Sequence, residues 1–267
     1  MKNTSLKAHQ KAPEFVTILG VKVNSTPRSE LLKEVQAKLS KKMQFYIVTP
    51  NPEIILEAQS DPELAHSLNS ADFSIPDGVG LKIMSKARDS FTIIKGREFM
   101  LDLFKLANDQ KLKVYLLGST PEINKKALNI LISDYPKIIA RGNSGPLLDD
   151  KAKPVSKVYT SLQFEIVKEI NSFKPDLLFV AYGAPKQEKW ISQWLPKLKV
   201  TGAMTVGGSL DYFSNSVLPV PNFFANLNLE WLWRLIQDPG RIGRIFNALI
   251  VFPVKVILEG KKPKNQV

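Results

Sequence analysis

Five short apolar runs in this chain each stop at turn-forming residues. Phe45-Tyr-Ile-Val48 runs into Thr49-Pro-Asn-Pro-Glu53, and the run from Ala71 ends at Pro76-Asp77-Gly78. Lys113 to Leu117 ends at Gly118-Ser-Thr-Pro121, Asp176 to Ala181 at Tyr182-Gly-Ala-Pro-Lys-Gln-Glu188, and Val200 to Val206 at Gly207-Gly208. Continuous β-prone runs suit strands buried on both faces. Helical patterns stand between them, and that alternation predicts an α/β fold with a mostly parallel sheet covered by helices on both faces. Ligands in such sheets bind beyond the carboxyl ends of the strands, so the five junctions define one candidate rim.

The helices announce themselves by their starts. Asn51-Pro52, Asp61-Pro62 and Thr120-Pro121 each pair a capping side chain with a proline at the first helical position, where its missing N–H costs nothing. Thr26-Pro27 predicts the same device, opening a helix that buries Leu31, Leu32, Val35 and Leu39. Further helices are expected at 96–110 and 158–173, a hairpin or strand pair around Gly20, a short strand at 137–140, and a loop at 142–156. Beyond Pro219 the texture changes. An aromatic-rich helical pattern over 222–236 breaks at Pro239-Gly240, a second covers 241–258, and no strand candidate follows. The expected organisation is a loose tail at 1–14, a catalytic domain at 15–218 and a helical appendage at 219–267.

A chain of 267 residues, 44% of them hydrophobic, can bury one large core with a small appendage. With no cysteine there is no thiol nucleophile or zinc thiolate site, in keeping with a reducing compartment. Only His9 and His66 are present, which argues against a histidine metal cluster or a Ser-His-Asp triad and leaves acid and base work to carboxylates. The polar N-terminus has no apolar core of signal-peptide length, so no secretion is expected. The run Ala248 to Phe252, stopped by Pro253, is too short to span a bilayer. A net charge of +12 implies an anionic partner, whether nucleic acid, anionic lipid or a diphosphate.

Asp77 is the carboxylate on which the chemistry is expected to rest. It follows an apolar run and sits in a turn where Gly78 and Gly80, lacking a Cβ, permit a sharp bend and close approach of a ligand. The competing reading is a turn aspartate that only caps the helix starting near Val79. Gly118-Ser-Thr and Gly207-Gly-Ser can supply backbone N–H groups to a diphosphate. Gln187 is a rim candidate, expected to spend its hydrogen bonds on ligand, although with Glu188 it also reads as an ordinary first-turn pair. Asp149-Asp150 reads as a solvated loop pair and Trp231 with Trp233 as packing. No GxxxxGK[ST], GxGxxG or metal-holding DxD is present, so neither a nucleotide fingerprint nor a metal cofactor is expected.

Thr49-Pro-Asn-Pro-Glu53, Pro76-Asp-Gly-Val-Gly80, Gly96-Arg97, Gly183-Ala-Pro-Lys-Gln-Glu188 with Trp190, Val206-Gly-Gly with Asp211, and Leu229-Glu-Trp-Leu-Trp-Arg234 followed by Asp238-Pro-Gly-Arg241 and Arg244 resemble the WecG/TagA/CpsF family of glycosyltransferases. The blocks keep the family's order from about residue 15 to 250. The resemblance implies a Rossmann-like enzyme that moves a sugar, with inversion, from a UDP-sugar to a polyprenyl-diphosphate-linked sugar. In the best-known members that step carries N-acetylmannosamine onto lipid-linked N-acetylglucosamine, for teichoic acid linkage units or enterobacterial common antigen.

By the same resemblance Asp77 takes the general-base position, Thr49 and Asn51 border the acceptor, and Gln187 shares their pocket. Gly78, Gly183 and Asp211 stand in matching blocks, and Arg234, Arg241 and Arg244 match arginines used on the acceptor's diphosphate. Two positions depart from the pattern: Pro219-Val-Pro221 replaces an Arg-Ala-Pro, and Asn215 stands where glycine is usual. These put the exact sugar in question more than the reaction class.

The second helical pattern crowds Ile242, Ile245, Phe246, Leu249, Ile250 and Phe252 beside Arg241, Arg244 and Lys255. A helix of that kind can lie in an anionic membrane interface without spanning it, which implies a peripheral, cytoplasmic enzyme on the inner face of the cell membrane. Permanent packing on the core or in a homo-oligomer interface is the rival. A basic nucleic-acid-binding module, a sugar-nucleotide sensor and a family member using a different UDP-hexose are the alternatives in function.

Overall fold

The computed structural model describes residues 15–85, 92–218 and 220–260, apart from 222, 225, 226 and 228. The expected tail at 1–14 and the residues of the expected appendage beyond 260 lie outside the described residues. Strands β1 (Phe15–Ile18) and β2 (Val21–Asn24) form an antiparallel hairpin. Its two-residue turn, Leu19-Gly20, has positive φ at both positions (46° and 74°), as a type I′ turn requires. Helix α1 (Arg28–Ser40) buries Leu31, Val35 and Leu39. The expected Thr26 cap does not form: Pro27 is extended, at ψ 146°, and its carbonyl accepts the N–H groups of Glu30 and Leu31, so the helix begins one residue later.

Six strands form a wholly parallel sheet. They are β3 (Phe45–Val48), β4 (Phe73–Ser74), β5 (Lys113–Gly118), β6 (Ile139–Asn143), β7 (Leu177–Ala181) and β8 (Gly202–Thr205), in the spatial order β4-β3-β8-β7-β5-β6. Both faces are covered, and the period of two sorts each strand's residues between two cores. Phe45, Ile47, Leu116 and Phe179 face α1, α5 (Gly96–Asp109) and α6 (Pro121–Asp134). Tyr46, Val48, Leu117 and Val180 face α2 (Pro52–Glu57), α3 (Pro62–Asn69), α7 (Lys157–Phe173) and α8 (Lys186–Trp194).

The capping expectations hold at three helix starts. Asn51 Oδ1 accepts from Ile54 N at 2.9 Å, Asp61 Oδ1 from Leu64 N at 3.0 Å, and Thr120 Oγ1 from Ile123 N at 3.3 Å. Strand β6 begins two residues later than expected and runs through Arg141-Gly-Asn143. Its sequence is a poor strand, but pairing to β5 makes it one, and Asn124 Nδ2 ties Asn143 O to Leu116 O and Gly118 O. Tertiary contacts routinely override local preference in this way.

The C-terminal segment is helical over Glu230–Gln237 and, after a short 3₁₀ turn at Pro239–Arg241, over Ile242–Phe246 and Phe252–Gly260. A π-helical stretch, Asn247–Val251, joins the last two. The expected break at Pro239 is present, with Asp238 Oδ1 accepting from Gly240 N at 3.2 Å. The apolar residues of this segment do not form one surface. Phe252 is fully buried among residues of the α2 side and Ile245 is nearly so, whereas Ile242, Phe246, Leu249, Ile250, Val254 and Ile257 are exposed. The last helix packs on α2 and α4 (Val79–Met84), and Glu259 accepts the Leu19 N–H at 3.2 Å.

Candidate active site

A cavity of about 850 Å³ opens where β3, β7 and β8 end. It is walled by the turns after those strands, by Asp77, by α2, and by the C-terminal segment through Arg244, Asn247, Val251 and Lys255. Of the expected site residues it brings together Thr49, Asn51, Asp77, Gly183, Gln187, Gly207 and Arg244. Gly78, Gly118 and Asp211 are not in its wall. The side chains of Arg234 and Arg241 lie outside the described residues.

Asp77 is held by its backbone and by the chain that returns beneath it. Its N–H donates to Pro50 O at 3.0 Å, which ties it to the Thr49-Pro-Asn51 turn, and Ile94 N donates to Pro76 O at 3.0 Å. Gly78 supplies φ 105°, so the turn can reverse there without strain. A Cβ on Gly96, at the start of α5, would lie 3.4 Å from Asp77 Oδ2 and 3.0 Å from Thr49 Cγ2. The carboxylate thus sits against the N-terminal end of a 14-residue helix, where a negative charge is favoured. Asn51 commits its Oδ1 to the α2 cap and offers a ligand its amide NH₂.

Gln187 differs from the sequence expectation. Its side chain is 3% exposed and bonds to protein: Oε1 accepts from Gly183 N at 3.2 Å and Gly207 N at 3.0 Å, and Nε2 donates to Glu188 Oε1 at 2.9 Å. Gly183 and Gly207 both have positive φ, 76° and 45°. Part of the N–H supply expected of Gly207-Gly-Ser and Gly118-Ser-Thr is likewise committed to protein. Gly207 N is taken by Gln187, Ser209 N donates to Val206 O, and Ser119 N to Ala181 O. Gly118 serves packing instead, since a Cβ there would be 2.7 Å from the carbonyl carbon of Ala181. Asp211, on α9 (Ser209–Phe213), stands behind the rim and accepts from Ser119 Oγ at 3.3 Å.

The cavity carries both signs of charge. Glu53, Glu57, Asp77 and Asp150 face Lys186, Arg244 and Lys255. Burial raises the Glu57 carboxyl, with nearby Asp61 adding to the effect and Lys189 and Arg244 opposing it. Glu188 is wholly buried, and burial pushes its carboxyl up to about 7 against the Gln187 hydrogen bond. Beneath the rim, buried Lys189 pairs with Asp61 and donates to Asp150 O at 2.8 Å, so it anchors the 149–150 loop. Asp149 is exposed but more than solvated, since its Oδ1 accepts from Lys151 N and Lys153 N at 2.9 Å each, whereas Asp150 lines the cavity. Lys186, Lys255 and Glu57 also line the cavity and are not among the expected site residues. Lys186 lies inside the recognised Gly183–Glu188 block, Lys255 carries only charge as a signal, and nothing in the sequence singles out Glu57.

Among the described residues, no group of three or more His, Asp or Glu could hold a metal ion. Asn215, where glycine is usual in the resemblance, has φ 54°, a conformation that asparagine tolerates better than most residues.

The sheet is doubly wound, and its charged rim lies at the strand ends, where ligands bind in α/β folds of this kind. The chain belongs to the WecG/TagA/CpsF family of glycosyl transferases, whose model matches residues 16–266. It is 32% identical over 255 residues, covering 94% of this chain and 95% of the relative, to the N-acetylglucosaminyldiphosphoundecaprenol N-acetyl-beta-D-mannosaminyltransferase of Staphylococcus aureus strain MW2. The same figures hold for the protein of that name from strain NCTC 8325 / PS 47. The protein is therefore a glycosyltransferase, and the nucleic-acid-binding alternative is not favoured.

Proposed function

We propose that this enzyme transfers N-acetylmannosamine, with inversion, from a UDP-sugar to N-acetylglucosamine carried on a polyprenyl diphosphate, in cell-envelope polysaccharide or teichoic acid synthesis. The observation that carries the reading is that Asp77 and Arg244, far apart in the sequence, line one cavity. The relatives' names supply the sugars. The acceptor hydroxyl oxygen attacks the anomeric carbon, its proton passes to Asp77, and the bond from that carbon to the UDP oxygen breaks with its electron pair leaving on UDP.

Thr49 and the Asn51 amide border the acceptor sugar in this reading. With Gly183 N, Gly207 N, Ser209 N and Ser119 N committed to protein, side-chain cations serve the two diphosphates: Lys186 on the strand-end wall, and Arg244 and Lys255 on the C-terminal wall. The resemblance adds Arg234 and Arg241, whose side chains lie outside the described residues. No metal ion is assigned, in line with the missing DxD pair, and charge stabilisation comes from the protein.

The acceptor is a lipid, and residues 219–267 are proposed to bring the cavity to it. Ile242, Phe246, Leu249, Ile250, Val254 and Ile257 expose apolar surface on the segment that also supplies Arg244 and Lys255. Such an arrangement suits peripheral attachment to the inner face of the cell membrane. Among the described residues no helix is long and apolar enough to cross a membrane.

A donor screen tests the function. UDP-N-acetylmannosamine and other UDP-sugars are offered with a short-chain lipid-diphosphate-N-acetylglucosamine, and UDP release is measured. Turnover with UDP-N-acetylmannosamine alone is expected. Turnover only with another UDP-hexose would move the enzyme to a different donor within the family, and none with any donor would sink the reading.

A further inference from the structure

Glu188 has no role in the chemistry described above, yet it is a fully buried carboxyl beside the cavity. Its Oε1 takes a hydrogen bond from Gln187 Nε2 at 2.9 Å, and its Oε2 has no partner among the described residues. A buried carboxyl left half-satisfied is costly, and the turn it sits under explains what that cost supports. The Gly183–Gln187 turn is closed twice, by Gln187 N donating to Gly183 O at 3.0 Å and by Gly183 N donating to Gln187 Oε1 at 3.2 Å. The same Oε1 then reaches across to Gly207 N at 3.0 Å, joining the ends of β7 and β8.

We infer that Glu188 is a positioning residue, acting through Gln187 to hold the Gly183 and Gly207 turns, and with them Lys186, as one wall of the donor-side cavity. The inference rests on the proposed function only for which substrate that wall meets. An amide has two unlike ends, and only the oxygen can accept the two glycine N–H groups. That orientation leaves Nε2 facing the protein interior, where it needs an acceptor. Glu188 Oε1 is one whether the carboxyl is ionised or protonated. Without it the buried NH₂ is unpaired, and the Gln187 side chain, which already lines the cavity, gains by swinging into it and releasing both glycines. Burial holds the carboxyl partly neutral near pH 7, which is consistent with an acceptor rather than a charge. Lys189, the adjacent cation, is engaged with Asp61 instead.

The test uses the full-length protein with Glu188→Met, which keeps the volume and removes the acceptor, and Glu188→Gln, which keeps an acceptor oxygen without charge. Amide hydrogen exchange at Gly183 and Gly207 is measured without substrate, and kcat and KM with the active donor and acceptor. In Glu188→Met both glycine amides are expected to exchange at least about tenfold faster, with kcat lower by about 10- to 100-fold and acceptor KM within about threefold. Glu188→Gln is expected to restore protection and to bring kcat within about threefold of wild type. In a Gln187→Ala background, Glu188→Met is expected to add no further loss, because the two act as one unit. Unchanged glycine exchange in Glu188→Met overturns the inference. So does a Glu188→Gln protein that loses glycine protection or as much kcat as expected for Glu188→Met, a result that stands even if Glu188→Met does not fold. Absence of transfer by the wild type would defeat the functional reading alone, since the exchange arm needs no substrate.

Discussion

The backbone N–H of Asp77 donates to the carbonyl of Pro50 at 3.0 Å. This backbone bond sets the carboxylate beside the turn that carries Thr49 and Asn51, so the proposed base and the proposed acceptor-side residues are tied together by a contact that does not use the Asp77 side chain. Asp77→Asn is therefore expected to fold and melt like wild type while losing about 10²- to 10⁴-fold in kcat, since the amide cannot take the hydroxyl proton. Retention of more than about half the wild-type rate would return Asp77 to a turn residue.

Gly96 is a second point of control. A Cβ there would crowd Thr49 Cγ2 at 3.0 Å, which requires the turn to shift by a few tenths of an ångström. Alanine also favours the helix by up to about 1 kcal/mol. Gly96→Ala is expected to melt no lower than wild type yet turn over about tenfold more slowly, as small misplacements of reacting groups are costly. A rate equal to wild type would show that the Thr49 turn yields freely.

Gln187→Ala has a different expectation from the one its rim position suggests. Its loss leaves the N–H groups of Gly183 and Gly207 and one Glu188 oxygen without their partner. A drop of about 1–3 kcal/mol in stability is expected together with reduced turnover. Denaturant unfolding checks it, and unchanged stability with reduced kcat would mean the amide works on ligand instead.

Stability should also depend on pH through Glu188. Its folded value, about 7, lies above the ordinary 4.5, so the folded state holds the extra proton between the two. Stability from this group is full below about pH 4.5 and is lost as pH rises towards 7, by on the order of 3 kcal/mol. The melting temperature of wild type should fall more steeply between pH 5 and 8 than that of Glu188→Gln. Glu57, raised in the same direction, remains in both proteins and cancels in the comparison. Parallel pH profiles would refute the assignment.

The C-terminal wall gives a last prediction. Arg244→Ala should raise acceptor KM about tenfold or more, as loss of a charged hydrogen bond to a diphosphate would, with UDP-sugar binding nearly unchanged. Replacing exposed Phe246 and Ile250 by serine should reduce flotation with anionic liposomes at low salt. Flotation that is already absent in wild type would favour core packing or oligomer contact over membrane docking.

Much of the fold was legible because its signals are local. Capping side chains and prolines start α2, α3 and α6, and runs such as Phe45–Val48 suit strands covered on both faces. The sequence by itself therefore determined a parallel α/β sheet, the rim at its strand ends, the Asp77 turn and the family. What the tertiary structure decided is how each polar group is spent. Gln187 looks like a rim residue in sequence, but only the juxtaposition of β7 and β8 puts both glycine N–H groups on its oxygen and Glu188 under its nitrogen. In the same way, Phe252 and Ile250 are equally apolar in a one-dimensional reading. The turn of the helix against α2 buries the first and exposes the second, because side-chain direction is set by the packed element rather than by residue type.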